Sequence, residues 1–143
     1  MFIRAGWYPR RRAWLTRFDG LESLTSFRRG AALIREFGGL HVGRTRPGRD
    51  QAASDISFFR RPSVQHRYAV ERIEHPDDDL FPLGCVQQRY LDLFLDSREQ
   101  VWVYSIVCGR LWQVGNTFTD SIERLLLGWA FVDGPGNAPD PVD

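Results

Sequence analysis

Two cysteines and three histidines are the side chains of this sequence that most readily support catalysis or metal binding. Cys85 and Cys108 form no CxxC pair, and His41, His66 and His75 form neither an HxH nor an HExxH pattern. Zinc sites need ligands at short, defined spacings, so the sequence predicts no metal centre and no cofactor. Free cysteines are among the most frequently buried residues, and we expect both thiols to be unreactive. A cysteine-based or metal-dependent hydrolase is the alternative, which a cysteine within hydrogen-bond reach of a histidine would support.

Two further features have residue types that bind ions or phosphates. The acidic run Asp77–Asp79 offers the oxygen ligands that hard cations prefer, but such runs are usually solvated, so we predict no metal there. The pair Gly38–Gly39 follows a helical pattern and precedes a strand-like one. Phosphate-binding glycine loops have the reverse order, a strand followed by a helix. The glycines therefore predict a helix terminus, with Gly38 in the left-handed conformation.

The 143-residue chain has the composition of one globular domain, with 43% hydrophobic and 26% charged residues. No apolar stretch approaches the roughly 20 residues that span a bilayer. Unpaired cysteines are typical of cytosolic proteins. We therefore expect a cytoplasmic protein without a membrane partner, and the sequence predicts no particular oligomeric state.

The charges are distributed unevenly along the chain. All 19 basic residues are arginine; residues 1–72 contain 15 arginines and 6 acids, and residues 73–143 contain 4 arginines and 12 acids. This asymmetry predicts either a surface for a charged partner or two halves that pair on folding. Arginines also lie beside aromatic residues at 58–61, as in single-strand binders. The pI of 7.9 and the acidic second half argue against a direct nucleic-acid partner.

Hydrophobic periodicity predicts the elements that position these side chains. A capping box at Asp19 and Glu22 precedes an amphipathic helix that ends at Gly38, and Gly30 within this helix predicts close packing or a bend. Residues 43–55 are expected to form a mobile, arginine-rich loop. The predictions for the following stretch are a strand at 56–59, a helix at 63–75 and an apolar turn at 80–84.

The second half contains three strand-like runs, at 90–96, 101–107 and 110–114. The polar sequence SREQ between the first two predicts a β-hairpin. Thr117 and Asp120 have capping-box spacing at the start of a second helix, which Gly128 ends. The Pro- and Gly-rich residues 131–143 predict a disordered tail, so the domain is expected to cover residues 1–130.

Five segments, taken together and in this order, resemble one protein family. They are GWYPRRR, AALIREFGGLHV, DDLFPLG, LDLFLDSREQVWVYS and GNTFTDSIERLLLG. They resemble the third family of the SUKH superfamily, the immunity proteins of bacterial polymorphic toxin systems. In that family a Gly-Trp-x-Pro-Gly-Arg start precedes a helix ending in Phe-Gly-Gly-Leu, and a Pro-Leu-Gly turn, a hairpin and a last helix follow. The likeness runs from Gly6 to Gly128, with Arg10 standing where the family has glycine.

The resemblance implies an α+β fold, with a mainly antiparallel sheet flanked by helices, and a non-enzymatic role. Such immunity proteins bind and neutralise a cognate toxin domain, commonly a nuclease or another enzyme that modifies nucleic acids. The implied partner is therefore a protein. A regulatory protein-interaction module of the same fold, without a toxin partner, is the alternative.

A charged surface is the expected contact with such a toxin. Nuclease toxins tend to be basic around their active sites, so acids on the inhibitor would steer association and fill the substrate site, and exposed aromatic side chains nearby would anchor it. The predicted binding residues are Asp77, Asp78, Asp79, Phe81, Asp96, Glu99 and Trp102. An acidic toxin would instead meet the N-terminal arginines.

Overall fold

One antiparallel sheet and two α-helices form the described part of the chain, which confirms the predicted α+β fold. The structure is a computed structural model, and it describes residues 1–12, 18, 20–68, 70 and 79–134. Helix α1 is Phe27–Phe37 and helix α2 is Phe118–Leu127. The strands are β1 His41–Val42, β2 Ile56–Phe58, β3 Phe81–Val86, β4 Leu91–Leu95, β5 Val101–Ser105 and β6 Arg110–Gly115.

The six strands pair in chain order from β1 to β6, and each is antiparallel to the next. Successive side chains of a strand point to opposite faces. On one face Leu91, Leu93 and Leu95 of β4 belong to the main core. Helix α1 packs against β3 and helix α2 packs against β6. On the other face Phe94 and Tyr104 belong to a smaller cluster. No helix in the described ranges is both long and apolar enough to span a membrane.

Helix α1 begins later than the capping box at Asp19 predicts. Its first residue is Phe27, and the preceding Ser26 does not cap it through its side chain. The Ser26 hydroxyl donates instead to the carbonyl oxygen of Asp79 at 2.8 Å, which ties the start of the helix to the start of β3. Asp19 itself lies outside the described residues.

The glycines of α1 and of its C-terminus have two different roles. Gly30 is closely packed, as predicted, because a Cβ atom there would lie 2.4 Å from the ring of Phe81. The prediction of a left-handed Gly38 is wrong: Gly38 has φ −54° and ψ 133°. Gly39 is the left-handed residue, with φ +83°, so the turn into β1 comes one residue later.

Strand β3 corrects the prediction of an apolar turn at residues 80–84. Pro82 and Gly84 suggest a chain break in the sequence, but both lie within β3, between β2 and β4. The pairing of β3 with β4 is irregular between these two residues. Such an irregularity tolerates a proline, which has no N–H to donate to a neighbouring strand.

The arginine-rich loop 43–55 is packed against the end of α2, in contrast with the mobile loop predicted. The backbone N–H groups of Asp50 and Gln51 donate to the carbonyl oxygen of Gly128 at 2.8 and 3.0 Å. The Ser54 N–H donates to the Leu125 carbonyl oxygen at 2.8 Å. These bonds satisfy carbonyl groups that a helix leaves unpaired at its C-terminus.

Two other predicted boundaries differ from the structure. The helix expected at 63–75 is a 3₁₀ helix at Val64–Arg67, and residues 71–78 lie outside the described part. The tail was expected from residue 131, but Phe131 is buried and the backbone of Asp133 pairs with that of Gln113. The fold therefore continues to residue 134, and residues 135–143 are not described.

The elements of the second half match their predictions closely. Strands β4 and β5 form the expected hairpin, and β6 follows as the third strand. Thr117 caps α2, because its hydroxyl accepts a hydrogen bond from the Asp120 N–H at 3.1 Å. Gly128 ends α2 in the left-handed conformation, with φ +67°.

Candidate functional site

The strand order brings three of the predicted acids to one end of the sheet. Asp79 precedes β3, Asp96 follows β4 and Glu99 lies in the turn before β5. We call these three residues the acidic end. The other two predicted acids, Asp77 and Asp78, lie outside the described residues.

Asp96 supports the β4–β5 turn from within the fold. Its Oδ1 accepts hydrogen bonds from the N–H groups of Arg98 at 2.9 Å and Gln100 at 2.8 Å. Its Oδ2 accepts from the indole N–H of Trp102 at 2.9 Å. Asp96 is only 2% exposed, and these bonds offset the cost of burying its carboxylate. Asp96 and the polar end of the half-buried Trp102 therefore stabilise the hairpin.

The expected exposure of Phe81 is wrong, because its side chain is completely buried. Its ring lies beside those of Phe18 and Phe27, with centroids 6.2 and 6.3 Å away. Gly30 of α1 leaves the space that the ring occupies. Phe81 is part of the contact between α1 and β3, and its buried ring is not available as a surface anchor.

Asp79 and Glu99 both interact with residues at the N-terminal end of α1. Asp79 Oδ2 accepts from the Thr25 N–H at 3.0 Å and from the Thr25 hydroxyl. Glu99 Oε1 lies 3.3 Å from Arg29 Nε. Both side chains of this ion pair are about half exposed, so it contributes little stability. The N-terminus of a helix favours such negative charges, and the described acids of this end thus have partners within the fold.

The cysteines have no catalytic environment in the described part of the chain. No hydrogen bond there joins a cysteine to a histidine, and His41 Nε2 lies instead 2.7 Å from Asp55 Oδ2. Burial raises the pKa of the Cys85 thiol; the charge of Arg89 lowers it and those of Asp92 and Asp55 raise it, and the net effect is a raised pKa. A raised pKa disfavours the nucleophilic thiolate. Cys108 is exposed in the turn between β5 and β6.

The histidines are likewise involved in packing and capping. The ring of His66 stacks on Phe59 with centroids 4.0 Å apart, and its Nδ1 accepts from the Ser63 N–H at 3.0 Å. Burial lowers the pKa of His66. His75 lies outside the described residues. Within the ranges that are described, no three His, Cys, Asp or Glu side chains are grouped so as to hold a metal ion.

An arginine-lined groove on α1 is a feature that the sequence did not predict. Its volume is about 640 Å³. Its lining residues, which we call the arginine groove, are Arg10, Arg11, Arg12, Ala32, Arg35 and Glu36. The run of three arginines is visible in the sequence. Their proximity to Arg35 arises only because the N-terminal segment lies against α1.

Hydrogen bonds hold the N-terminal segment in this position. The Arg11 guanidinium donates to the carbonyl oxygens of Glu36 at 2.7 Å and Gly38 at 3.0 Å, which lie at the C-terminal end of α1, where cations are favourable. The Trp7 indole N–H donates to Glu36 Oε1 at 3.2 Å. These contacts fix the wall of the groove relative to the helix.

The other arginines of the groove present their charges to solvent. Arg10, Arg12 and Arg35 are all exposed. The Arg35 guanidinium carbon lies over the Phe18 ring, 5.4 Å from its centroid, a distance at which the cation is attracted to the ring face. Arg10 has φ +64°, a conformation that glycine adopts without strain. This geometry explains why the motif has glycine at this place, and nothing in the structure explains the arginine that replaces it.

The uneven charge of the two halves is not cancelled by contacts between them. Among the described residues three arginine–carboxylate ion pairs form, and only Arg29–Glu99 joins an arginine of residues 1–72 to an acid of residues 73–143. Pairing of the halves on folding therefore does not account for the asymmetry in this part of the chain. Most of the described arginines of residues 1–72 are exposed.

Comparison with known proteins identifies one family. The family model described as SUKH-3 immunity protein matches residues 1–128. No curated protein and no solved structure matches the chain significantly. The matched residues include both the acidic end and the arginine groove.

Proposed function

The chain belongs to the SUKH-3 immunity protein family, and from this membership we propose that it neutralises a cognate toxin domain by binding to it. The family match over residues 1–128 is the observation that carries the proposal. The toxin class that we propose is a nuclease or another enzyme that modifies nucleic acids. The protein would act in the cytoplasm, where such a toxin reaches its substrate.

A role in binding rather than in catalysis agrees with the chemistry of the described residues. The Cys85 thiol has a raised pKa, which disfavours its reactive form. Asp96 and His66 each serve the fold, one in a turn and the other in packing. The surface carries many charged side chains, and surface charges steer association between proteins.

A survival assay in a host cell tests the proposal. The toxin domain encoded by the neighbouring gene is expressed with and without this protein, and surviving colonies are counted. We expect survival only with the protein, and a pull-down from the same cells should recover the toxin domain. Cell death despite folded, co-expressed protein would contradict the proposal. Survival without a complex would contradict binding as the mechanism.

The predicted acidic contact is tested in the same assay with a substituted protein. The changes Asp77→Asn, Asp78→Asn and Glu99→Gln remove three negative charges while retaining hydrogen-bonding groups. Asp79 is left unchanged because it holds Thr25 at the start of α1. Loss of survival with a folded variant would support the acidic prediction. Retained survival would move the contact to another surface.

A further inference from the structure

We propose that the arginine groove is the surface on which the toxin domain docks, and that the toxin contributes an acidic segment whose carboxylates enter the groove. This inference rests on the proposed function and specifies the chemistry of the partner. The groove is positively charged, whereas the acidic end is negatively charged.

The charges of the groove have no carboxylate partners within the described fold. Arg10, Arg12 and Arg35 take part in none of the ion pairs there. Asp79 and Glu99 of the acidic end, by contrast, already interact with Thr25 and Arg29. A partner that brings carboxylates can therefore pair with Arg10, Arg12 and Arg35 without breaking an ion pair of the described fold.

The shape of the groove suits carboxylate side chains. Guanidinium groups bind carboxylates through two parallel hydrogen bonds, which gives both energy and orientation. Ala32 is exposed between the arginines and leaves room for an incoming side chain. Arg28 lies one helical turn before Ala32, and this spacing places it on the same face of α1. The positive surface therefore extends along the helix beyond the groove.

A protein fits this groove better than a nucleic acid does. Single-strand binders combine basic grooves with aromatic side chains on which bases stack, and none of the six lining residues is aromatic. Phe18 is buried beneath Arg35, and the indole of Trp7 is half-buried and bonded to Glu36. The formal net charge of the chain is only +1. Attraction is therefore local, and it suits a matching acidic patch on a folded partner.

The backbone at Arg10 gives a second, independent observation. A non-glycine residue in the left-handed region costs of order 1 kcal/mol, and such strain is concentrated at functional positions. Neither the backbone N–H nor the guanidinium of Arg10 makes a hydrogen bond within the described part of the chain. Arg10 is one of five described non-glycine residues with a positive φ, and its strain is not offset by a hydrogen bond of its own within the described fold.

Charge reversal with a matched control tests the proposal. The groove variant carries Arg10→Glu, Arg12→Glu and Arg35→Glu. The control carries Arg44→Glu, Arg60→Glu and Arg61→Glu, which change the net charge equally at exposed arginines outside the groove. Association with the purified toxin domain of the neighbouring gene is measured by stopped-flow fluorescence at low and physiological salt. We expect the groove variant to associate about 10- to 100-fold more slowly, and the control to change less than about 3-fold.

The outcomes separate the two proposals. If the wild-type protein neither binds the toxin domain nor protects cells, the proposed function is wrong and the groove assignment fails with it. If both variants bind as the wild type does, only the groove assignment is wrong. Loss of binding in the variant that lacks Asp77, Asp78 and Glu99 charges, with the groove variant unaffected, would also overturn it.

Two further measurements keep the test decisive. Arg10→Gly relieves the left-handed strain, so it should fold at least as well as the wild type while slowing toxin association by about 3- to 10-fold. Unchanged association would count against the groove. A 20-nucleotide single strand serves as the second probe, by fluorescence anisotropy at physiological salt. Binding of this strand that requires the groove arginines, together with unchanged toxin binding, would overturn the proposal in favour of nucleic acid.

Discussion

A residue of a type that is common in functional sites can have a structural role instead, and Asp96 is an example. As an acid beside a hairpin it suggests a surface charge. In the structure its two carboxylate oxygens accept three hydrogen bonds, two from backbone N–H groups of the turn that follows β4 and one from the Trp102 indole in β5. Its role is therefore decided by geometry within five residues of chain and by burial of the indole end of Trp102. The residue type alone could not distinguish a partner contact from a turn that is stabilised internally.

Replacing Asp96 provides a prediction at the residue scale. Asp96→Ala leaves two backbone N–H groups and the Trp102 indole N–H without their acceptor, and we expect the free energy of unfolding to fall by about 2–4 kcal/mol. Urea denaturation followed by tryptophan fluorescence measures the change. Glu99→Ala in the same turn is the control, and it should cost less than about 1 kcal/mol because its ion pair is exposed. Equal losses for the two variants would show that Asp96 does not hold the turn.

At the scale of elements, the sequence predicted the structures that depend on local patterns, but not the strand that depends on long-range pairing. The β4–β5 hairpin and α2 were predictable because alternation, a polar turn and the capping pair Thr117 and Asp120 are all local signals. Strand β3 was not, since Pro82 and Gly84 are turn formers and only pairing with β2 and β4 makes this segment a strand. Its burial in turn decides that Phe81 lies in the core.

The candidate site shows the same division between local and long-range information. The proximity of Asp96 and Glu99 followed from the predicted hairpin, whereas Asp79 joins them only because β3 pairs with β4. The arginine groove did not follow from any local pattern. Arg35 meets Arg11 because the N-terminal segment bonds to the carbonyl groups at the end of α1, and no periodicity encodes that contact.

The contact between α1 and β3 leads to a prediction at the element scale. Gly30→Ala should stabilise α1 by about 1 kcal/mol, because alanine has the higher helix propensity. The new Cβ, however, would lie 2.4 Å from the Phe81 ring, and overpacking of this kind costs about 1–3 kcal/mol. We therefore expect a net loss of stability and a lower Tm by differential scanning calorimetry.

A second substitution separates these two contributions. In a background of Phe81→Leu, which makes room beneath the helix, Gly30→Ala should be less destabilising than in the wild type. A difference of about 1 kcal/mol between the two backgrounds would measure the overlap with the ring. The same effect of Gly30→Ala in both backgrounds would contradict close packing as the reason for glycine at this position.

At the scale of the whole molecule, the groove arginines that form no ion pair with described residues imply mutual repulsion within the folded state. Clustered like charges raise the free energy of a compact structure, and salt screens this effect over a Debye length of about 10 Å at 0.1 M. Arg10 and Arg12 lie in one groove with Arg11 and Arg35 and without an ion pair among the described residues. A binding surface of this kind is kept at the expense of stability until a partner supplies the opposite charge.

Neutralising part of the groove tests this view of the molecule. Arg10→Gln with Arg12→Gln should raise the free energy of unfolding by about 0.5–1 kcal/mol at 10 mM salt, and the gain should largely disappear at 0.5 M salt because the repulsion is then screened in the wild type as well. Urea denaturation at the two salt concentrations measures it. Arg29→Gln is the control, since Arg29 pairs with Glu99 and its loss should be neutral or slightly destabilising. If the double variant is instead less stable at low salt, these arginines hold the fold together through attraction, and the arginine groove is a structural feature rather than a surface kept for an acidic partner.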